Sequence, residues 1–209
     1  MIGTFAASRL VSIAAGLDTS LDFAVSWTLE GEAMRRSSHA LADGGRVWLI
    51  DPVSDEAALA AAEALGEVAG VIQLLDRHPR GCEALAERYG VPHHRLPEGS
   101  AGTPFELLRT IWIPGWRELH LWWAKRRLLL VSEAVGSSPY FAAGRRAGIH
   151  PMLRLKAPGS PREHTPRHLL FGHGAPIHED AGGALEEAYM NSIRDIPGAV
   201  GAMFRAGRP

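Results

Sequence analysis

The first half of the chain alternates short apolar, β-rich runs with helical stretches. Val47-Trp48-Leu49-Ile50 follows the turn Asp43-Gly44-Gly45, stops at Asp51-Pro52, and reads as a buried strand after a hairpin. Ser54 is placed to cap a helix with Asp55 and Glu56 in its first turn, an Ala/Leu-rich body and a stop at Gly66. Val68 to Leu75 is long enough for a central strand, Glu83 to Tyr89 reads as a helix closed by Gly90, and Val91 to Arg95 as another short strand. Two strand-then-helix units therefore stand in series. In the middle, Arg109–Ile113, Leu119–Trp123 and Leu128–Ser132 are strand-like and separated by Pro114-Gly115 and Lys125-Arg126-Arg127, which predicts an antiparallel meander. The span from Gly136 to Pro166 predicts a long loop with a short helix around Gly144–Leu153, followed by a strand at Leu169–Phe171 and a final helix near Glu179–Arg194. This order predicts a layered α/β sandwich.

Composition narrows the class without changing that outline. With 209 residues, 46% hydrophobic and 22% charged, the chain suits one folded domain over residues 1–209 rather than disorder or coiled coil. A net charge of -1 gives no basic field to attract nucleic acid or anionic lipid. The single cysteine, Cys82, excludes an internal disulfide and a cysteine-rich zinc site, and reads as a packing residue before a nucleophile. No segment approaches the roughly 18 to 20 apolar residues of a membrane span. Met1 to Leu17 lacks the basic start of a secretion signal, so a cytoplasmic location is expected.

Two residue types stand out. Trp112, Trp116, Trp122 and Trp123 fall close together, and since side chains alternate across a strand they cannot all face one core. Some must line a pocket or sit in an interface, and a homodimer is one expectation. His164, His168, His173 and His178 resemble a metal ladder on paper, but Pro166 and the following strand break any common helical face. Asp51, before a proline, reads as a turn-former or helix-entry cap.

Four short signatures, taken in series, resemble the metallo-β-lactamase fold superfamily over about Ser38 to Tyr189. Ser38-His39-Ala40-Leu41 to Asp51-Pro52 is similar to its opening hairpin. Leu75-Asp76-Arg77-His78-Pro79-Arg80-Gly81 stands where that family carries His-x-His-x-Asp-His. Pro114-Gly115-Trp116 stands at its Pro-Gly-His, and Leu129-Leu130-Val131-Ser132-Glu133 where a strand ends in Gly-Asp. Leu170-Phe171-Gly172-His173-Gly174-Ala175-Pro176-Ile177 matches its closing Gly-His-Gly loop and is the most specific of the set. The resemblance implies a four-layer αββα sandwich with two mixed β-sheets and raises the expectation of hydrolysis of an ester, lactone, thioester or lactam.

Carried over residue by residue, the resemblance implies a mostly lost ligand set. Asp76 replaces the first histidine, His78 keeps the second, Arg80 replaces the aspartate, Trp116 the third ligand histidine, Glu133 the bridging aspartate, and His173 is retained. The leading expectation is a metal-free, small-molecule-binding site in which Arg80 pairs with Glu133 and Asp76 in place of a cation. His78, His173 and Glu133 would then carry any acid/base chemistry, with Asp76, Arg77, Arg80 and Trp116 contacting ligand. His78 and His173 could equally be satisfied buried histidines. The alternatives are a hydrolase with one zinc or iron ion on Asp76, His78, Glu133 and His173, and a non-catalytic homodimeric subunit.

Overall fold

The computed structural model describes residues 15–97 and 99–206, so most of the Met1–Leu17 stretch lies outside the described residues. Strands β1 (Ala15–Leu21), β2 (Ala24–Leu29), β3 (Ser37–Asp43), β4 (Arg46–Ile50), β5 (Glu67–Gln73) and β6 (His93–Arg95) form one sheet in chain order. Its first four strands are antiparallel neighbours, while β4, β5 and β6 run parallel. The parallel steps exist because α1 (Glu56–Glu63) and α2 (Cys82–Tyr89) supply the crossovers. The N-cap of α1 is Asp55, whose carboxylate accepts from Ala58 N at 2.9 Å, rather than the expected Ser54. Gly90 ends α2 in the left-handed region at φ 64°, as its sequence predicts.

The second sheet contains the expected meander β7 (Glu106–Ile113), β8 (Trp116–Trp123) and β9 (Leu128–Val131), with the parallel strand β12 (His168–Phe171) beside β9. Between them stand the two-residue strands β10 (Val135–Gly136) and β11 (Gly148–Ile149) and a short helix α3 (Pro139–Ala142). The helix expected around Gly144–Leu153 is therefore displaced: α3 begins on Pro139 at an N-terminal position where its missing N–H costs nothing, and β11 occupies the expected place. The final helix is two, α4 (Ala181–Met190) and α5 (Ile196–Ala206). The hairpin of β1 and β2 is absent from the sequence-based outline although Val25 to Leu29 alternates apolar and polar residues; β2 is buried along its whole length, Ser26 and Thr28 included.

Strand alternation sorts the core into three layers. Trp48, Ile50, Ile72, Leu121, Trp123, Leu128 and Leu130 meet between the sheets. Val47, Leu49 and Val71, on the opposite faces, pack under Leu59 of α1 and Leu85 of α2. Leu129, Val131 and Phe171 pack under Leu185 of α4. Helix, sheet, sheet, helix is the four-layer order expected. No helix among the described residues is long and apolar enough to cross a membrane.

The layers also bury histidines in the neutral form. His120 is fully buried on β8, with Nδ1 against the Thr110 hydroxyl at 2.9 Å and Nε2 3.1 Å from His164 Nε2. Burial pushes its pKa down to about 3. The unfolded chain therefore binds a proton that the fold refuses between about pH 6.5 and 3, so stability declines as pH falls through that window. We expect the Tm to drop between pH 7 and pH 5, and His120→Gln, which keeps a hydrogen-bonding side chain but takes no proton, to flatten the slope by on the order of 1 kcal/mol per pH unit. Parallel slopes for the two proteins in thermal denaturation would refute this account.

Candidate active site

The loops after β4, β5, β9 and β12 converge at one end of the sandwich. His78 lies on the β5–α2 loop, Glu133 just after β9, and His173 in the Gly172-His173-Gly174 loop after β12. All three are buried, and one ligand atom from each lies within 4.8 Å of the others. His78 Nε2 and His173 Nε2 are 3.2 Å apart. His173 Nδ1 stands 3.2 Å from the Met34 carbonyl, and its ring stacks on Phe141 with centroids 5.2 Å apart. Burial and then the nearby Arg80 charge hold both imidazoles below their ordinary pKa. Neutral rings are the form that can donate a lone pair to a metal.

Two glycines permit this loop. A Cβ on Gly172 would stand 2.1 Å from the Ser132 carbonyl oxygen, and Gly174 has φ +100° with Ser137 Oγ 2.3 Å from where a Cβ would lie. The Gly-His-Gly spacing is thus a steric requirement for bringing His173 against the end of β9.

The expected ion-pair cluster of Arg80 with Glu133 and Asp76 does not form. Arg80 does turn inward, its Nε shut off from solvent, but Nη1 donates to the Ser37 and Asp51 carbonyls at 2.5 and 3.0 Å and Nη2 to the Gly172 carbonyl at 3.0 Å. Those carbonyls lie at the start of β3, the end of β4 and the end of β12; the Asp51 and Gly172 oxygens also accept from the Ser38 hydroxyl and the Ser37 amide, at 2.9 and 2.8 Å, so Arg80 is a second donor to them. Arg77 is the partner of Glu133, Nη2 to Oε2 at 2.5 Å, with its guanidinium 4.1 Å from the centre of the Trp116 ring. Asp76 is not part of the His78, Glu133 and His173 group: its Oδ2 accepts from Arg117 N at 3.0 Å and its Oδ1 has no partner. Trp116 is buried, edge-on to His150 at 4.9 Å, and forms a wall of the site.

Three residues of the site were missed or misread in the sequence. Asp51 is not a simple turn-former. Its carboxylate is buried, accepts from Leu74 N at 2.9 Å and from the Ser132 hydroxyl at 3.0 Å, and stands 3.7 Å from His78 Nδ1. Burial raises its pKa, but His78, Arg80 and the Leu74 amide outweigh that and hold it below the usual carboxylate value. Glu118, fully buried on β8, accepts from the Glu133 and Ala134 amides at 2.9 and 3.0 Å and so fixes the loop that carries Glu133. Burial pushes its pKa up to about 7. A lone carboxylate inside an apolar strand was the available signal. His150 Nε2 lies 3.9 Å from Glu133 Oε1, and burial brings its pKa down to about 4. The sequence placed His150 inside a short helix, whereas it caps a single 3-10 turn over Pro151–Leu153, its Nδ1 accepting from Met152 N at 3.2 Å.

Cys82 is buried and its thiol is pushed up to about 12 by burial, which suits packing and opposes nucleophilic use. The apparent ladder of four histidines divides into separate pairs, His164 with His120, His173 with His78, and His168 with His178 at 3.2 Å between Nδ1 atoms.

No protein-family model and no curated protein matches the chain. Solved structures do. A putative diflavin flavoprotein fragment from Nostoc sp. PCC 7120 aligns with TM-score 0.61 at 15% identity, over 87% of this chain and 96% of that one. The DIM-1 metallo-β-lactamase exposed to ceftazidime aligns with TM-score 0.53 at 11% identity, over 85% and 97%. The chain has the metallo-β-lactamase fold. TMB-1 aligns similarly, with TM-score 0.52 and 14% identity over 86% and 97%. Identities this low speak for the fold and not for an activity.

Arg80→Gln should leave at least one of the three carbonyls without a donor and destabilise the protein by about 3 kcal/mol in urea unfolding, whereas a change within about 0.5 kcal/mol would mean that water replaces the guanidinium. Gly172→Ala should cost about 1–3 kcal/mol by forcing β12 away from Ser132.

Proposed function

We propose that this metallo-β-lactamase-fold protein is a hydrolase of a small ester, lactone or thioester that uses one divalent cation held by His78, His173 and Glu133. The observation that carries the reading is the proton arrangement of the two histidines. His173 Nδ1 faces a carbonyl, so its proton belongs there and its Nε2 presents a lone pair. Without an ion, His78 must place its own proton on Nε2 toward that lone pair, leaving its Nδ1 a buried acceptor with no partner, opposite the Asp51 carboxylate at 3.7 Å. With both Nε2 atoms given to a cation, His78 would carry its proton on Nδ1, facing Asp51. An imidazole that ligates through one nitrogen and is oriented by an acceptor at the other is the usual arrangement at metal centres. Two nitrogens 3.2 Å apart also suit one ion at the usual Zn–N distance of about 2.0–2.1 Å.

Such a cation supplies a bound water with its pKa lowered to about 7. The chain's own residues do the rest. Arg77, half-exposed at the rim and stacked on Trp116, is placed to hold a carbonyl oxygen or carboxylate as negative charge develops. Trp116 excludes water on one side, and Glu118 keeps the Glu133 loop rigid.

The ion-free reading has its own support. Arg77 and Arg80 balance Asp51 and Glu133 before any cation arrives, so an added ion leaves the site positive until hydroxide or an anionic substrate neutralises it. Binding should accordingly be weaker than in a centre with more carboxylates. Elemental analysis after loading with zinc or ferrous iron should find about one equivalent, lost on brief chelation and absent in His78→Ala and His173→Ala, with turnover of 4-nitrophenyl acetate following the metal. Failure to retain either ion, with the wild type fully folded, would overturn this reading in favour of the ion-free site.

A further inference from the structure

A groove at the open edge of the sandwich, lined by none of the clustered His78, Glu133 and His173, carries two arginines with no acceptor among the described residues. It is a cavity of about 340 Å³ lined by Asp76, Arg95, Leu96, Trp112 and Arg117. Arg95 projects from β6, the last strand of the first sheet, and Arg117 from β8 of the second, so the sandwich edge brings two guanidiniums to one hollow. Several other cations at the surface find carboxylates: Arg36 pairs with Glu32, Arg88 with Glu56, Lys125 with Asp43, Arg146 with Asp180, and Arg162 with Glu186. Among the described residues neither Arg95 nor Arg117 has such a partner. The one carboxylate beside them, Asp76, directs Oδ2 to the Arg117 backbone amide and has Oδ1 closed off from solvent. Two like charges in a shared hollow repel unless an anion sits between them.

The same groove has an apolar half. A second cavity of about 220 Å³ shares Leu96 and Trp112 with the first and continues along Pro97, Leu107 and Leu119, with the charged Arg109 at its wall. Trp112 reaches it because the register of β7 shifts between Arg109 and Ile111, which puts Trp112 opposite Arg117 and on the inter-sheet side. The indole is 40% exposed, with the Arg109 guanidinium 4.5 Å and the Arg117 guanidinium 5.5 Å from its centre.

We propose that this groove binds an amphipathic organic anion, its carboxylate or phosphate head between Arg95 and Arg117 and its apolar stem along Leu96, Trp112 and Leu119. Guanidiniums offer paired N–H donors that match either head group, and the indole and leucine walls favour a stem over a fully hydrated ion. The site does not depend on the hydrolytic reading, because none of its residues belongs to the His78, Glu133 and His173 group.

Calorimetric titration of the full chain in chelator tests the proposal, using phenyl phosphate, benzoate, inorganic phosphate and neutral benzyl alcohol as probes. Phenyl phosphate or benzoate should bind saturably, at least about tenfold more tightly than benzyl alcohol and than inorganic phosphate, and more weakly as salt rises. Arg95→Ala and Arg117→Ala should each weaken binding at least about fivefold while leaving the Tm near that of the wild type; a fall in Tm would move the comparison to Arg95→Lys and Arg117→Lys, which keep charge and lose the paired donors. His78→Ala should bind the probes as the wild type does. No saturable binding of either organic anion at millimolar concentration would overturn the proposal. So would equal binding of inorganic phosphate, binding indifferent to the arginine substitutions, or binding lost in His78→Ala.

Discussion

Arg80 is a cation at the point where three strand ends meet. Carbonyls at the start of β3 and the ends of β4 and β12 converge on its guanidinium. One planar guanidinium satisfies all three because its donors fan out in a fixed plane, which a lysine could not reproduce. The loops bearing Asp51 and His173 are held together through this contact, and Arg80 itself sits two residues from His78. Without it, the Gly172 and Asp51 carbonyls would keep only the Ser37 amide and the Ser38 hydroxyl, and the link between the two turns through one side chain would be lost.

A buried positive charge at that point shapes the electrostatics around it. It stabilises the Asp51 carboxylate against the cost of burial and disfavours a proton on His78 and His173. Arg77 supplies the second positive charge, on Glu133 rather than in the interior. The cluster is therefore close to neutral as built, which limits how firmly it can hold an added cation and favours ligands that bring negative charge.

Paired imidazoles recur in this molecule. His78 with His173, His120 with His164 and His168 with His178 each join distant segments by one nitrogen-to-nitrogen contact. Two neutral histidines can do this because each ring has one donor and one acceptor. His178 also meets a carboxylate, Asp18 at 3.2 Å, but among the described residues only the first pair joins a carboxylate in a group of three mutually close ligand atoms, which sets it apart as chemistry rather than packing.

The local pattern was enough for most of the scaffold. Apolar, β-rich runs bounded by turn residues placed Val47–Ile50, Val68–Leu75 and the β7–β8–β9 meander, glycine chemistry ended α2, and the Gly-His-Gly spacing marked His173. These follow from interactions within a few residues along the chain, which period and turn chemistry encode directly. Partners across the fold did not follow. Whether Arg80 faces Glu133 or a set of carbonyls, which arginine meets Glu133, and that Asp51 and Glu118 lie beneath the site depend on loops whose approach is decided by packing of the two sheets. The β7 register shift that turns Trp112 toward Arg117 is of the same kind, since a one-residue offset exchanges the faces of a strand without altering its composition. Residue type and spacing thus determined the layers and one retained histidine, whereas the charges each side chain meets were decided only when the sheets closed on one another.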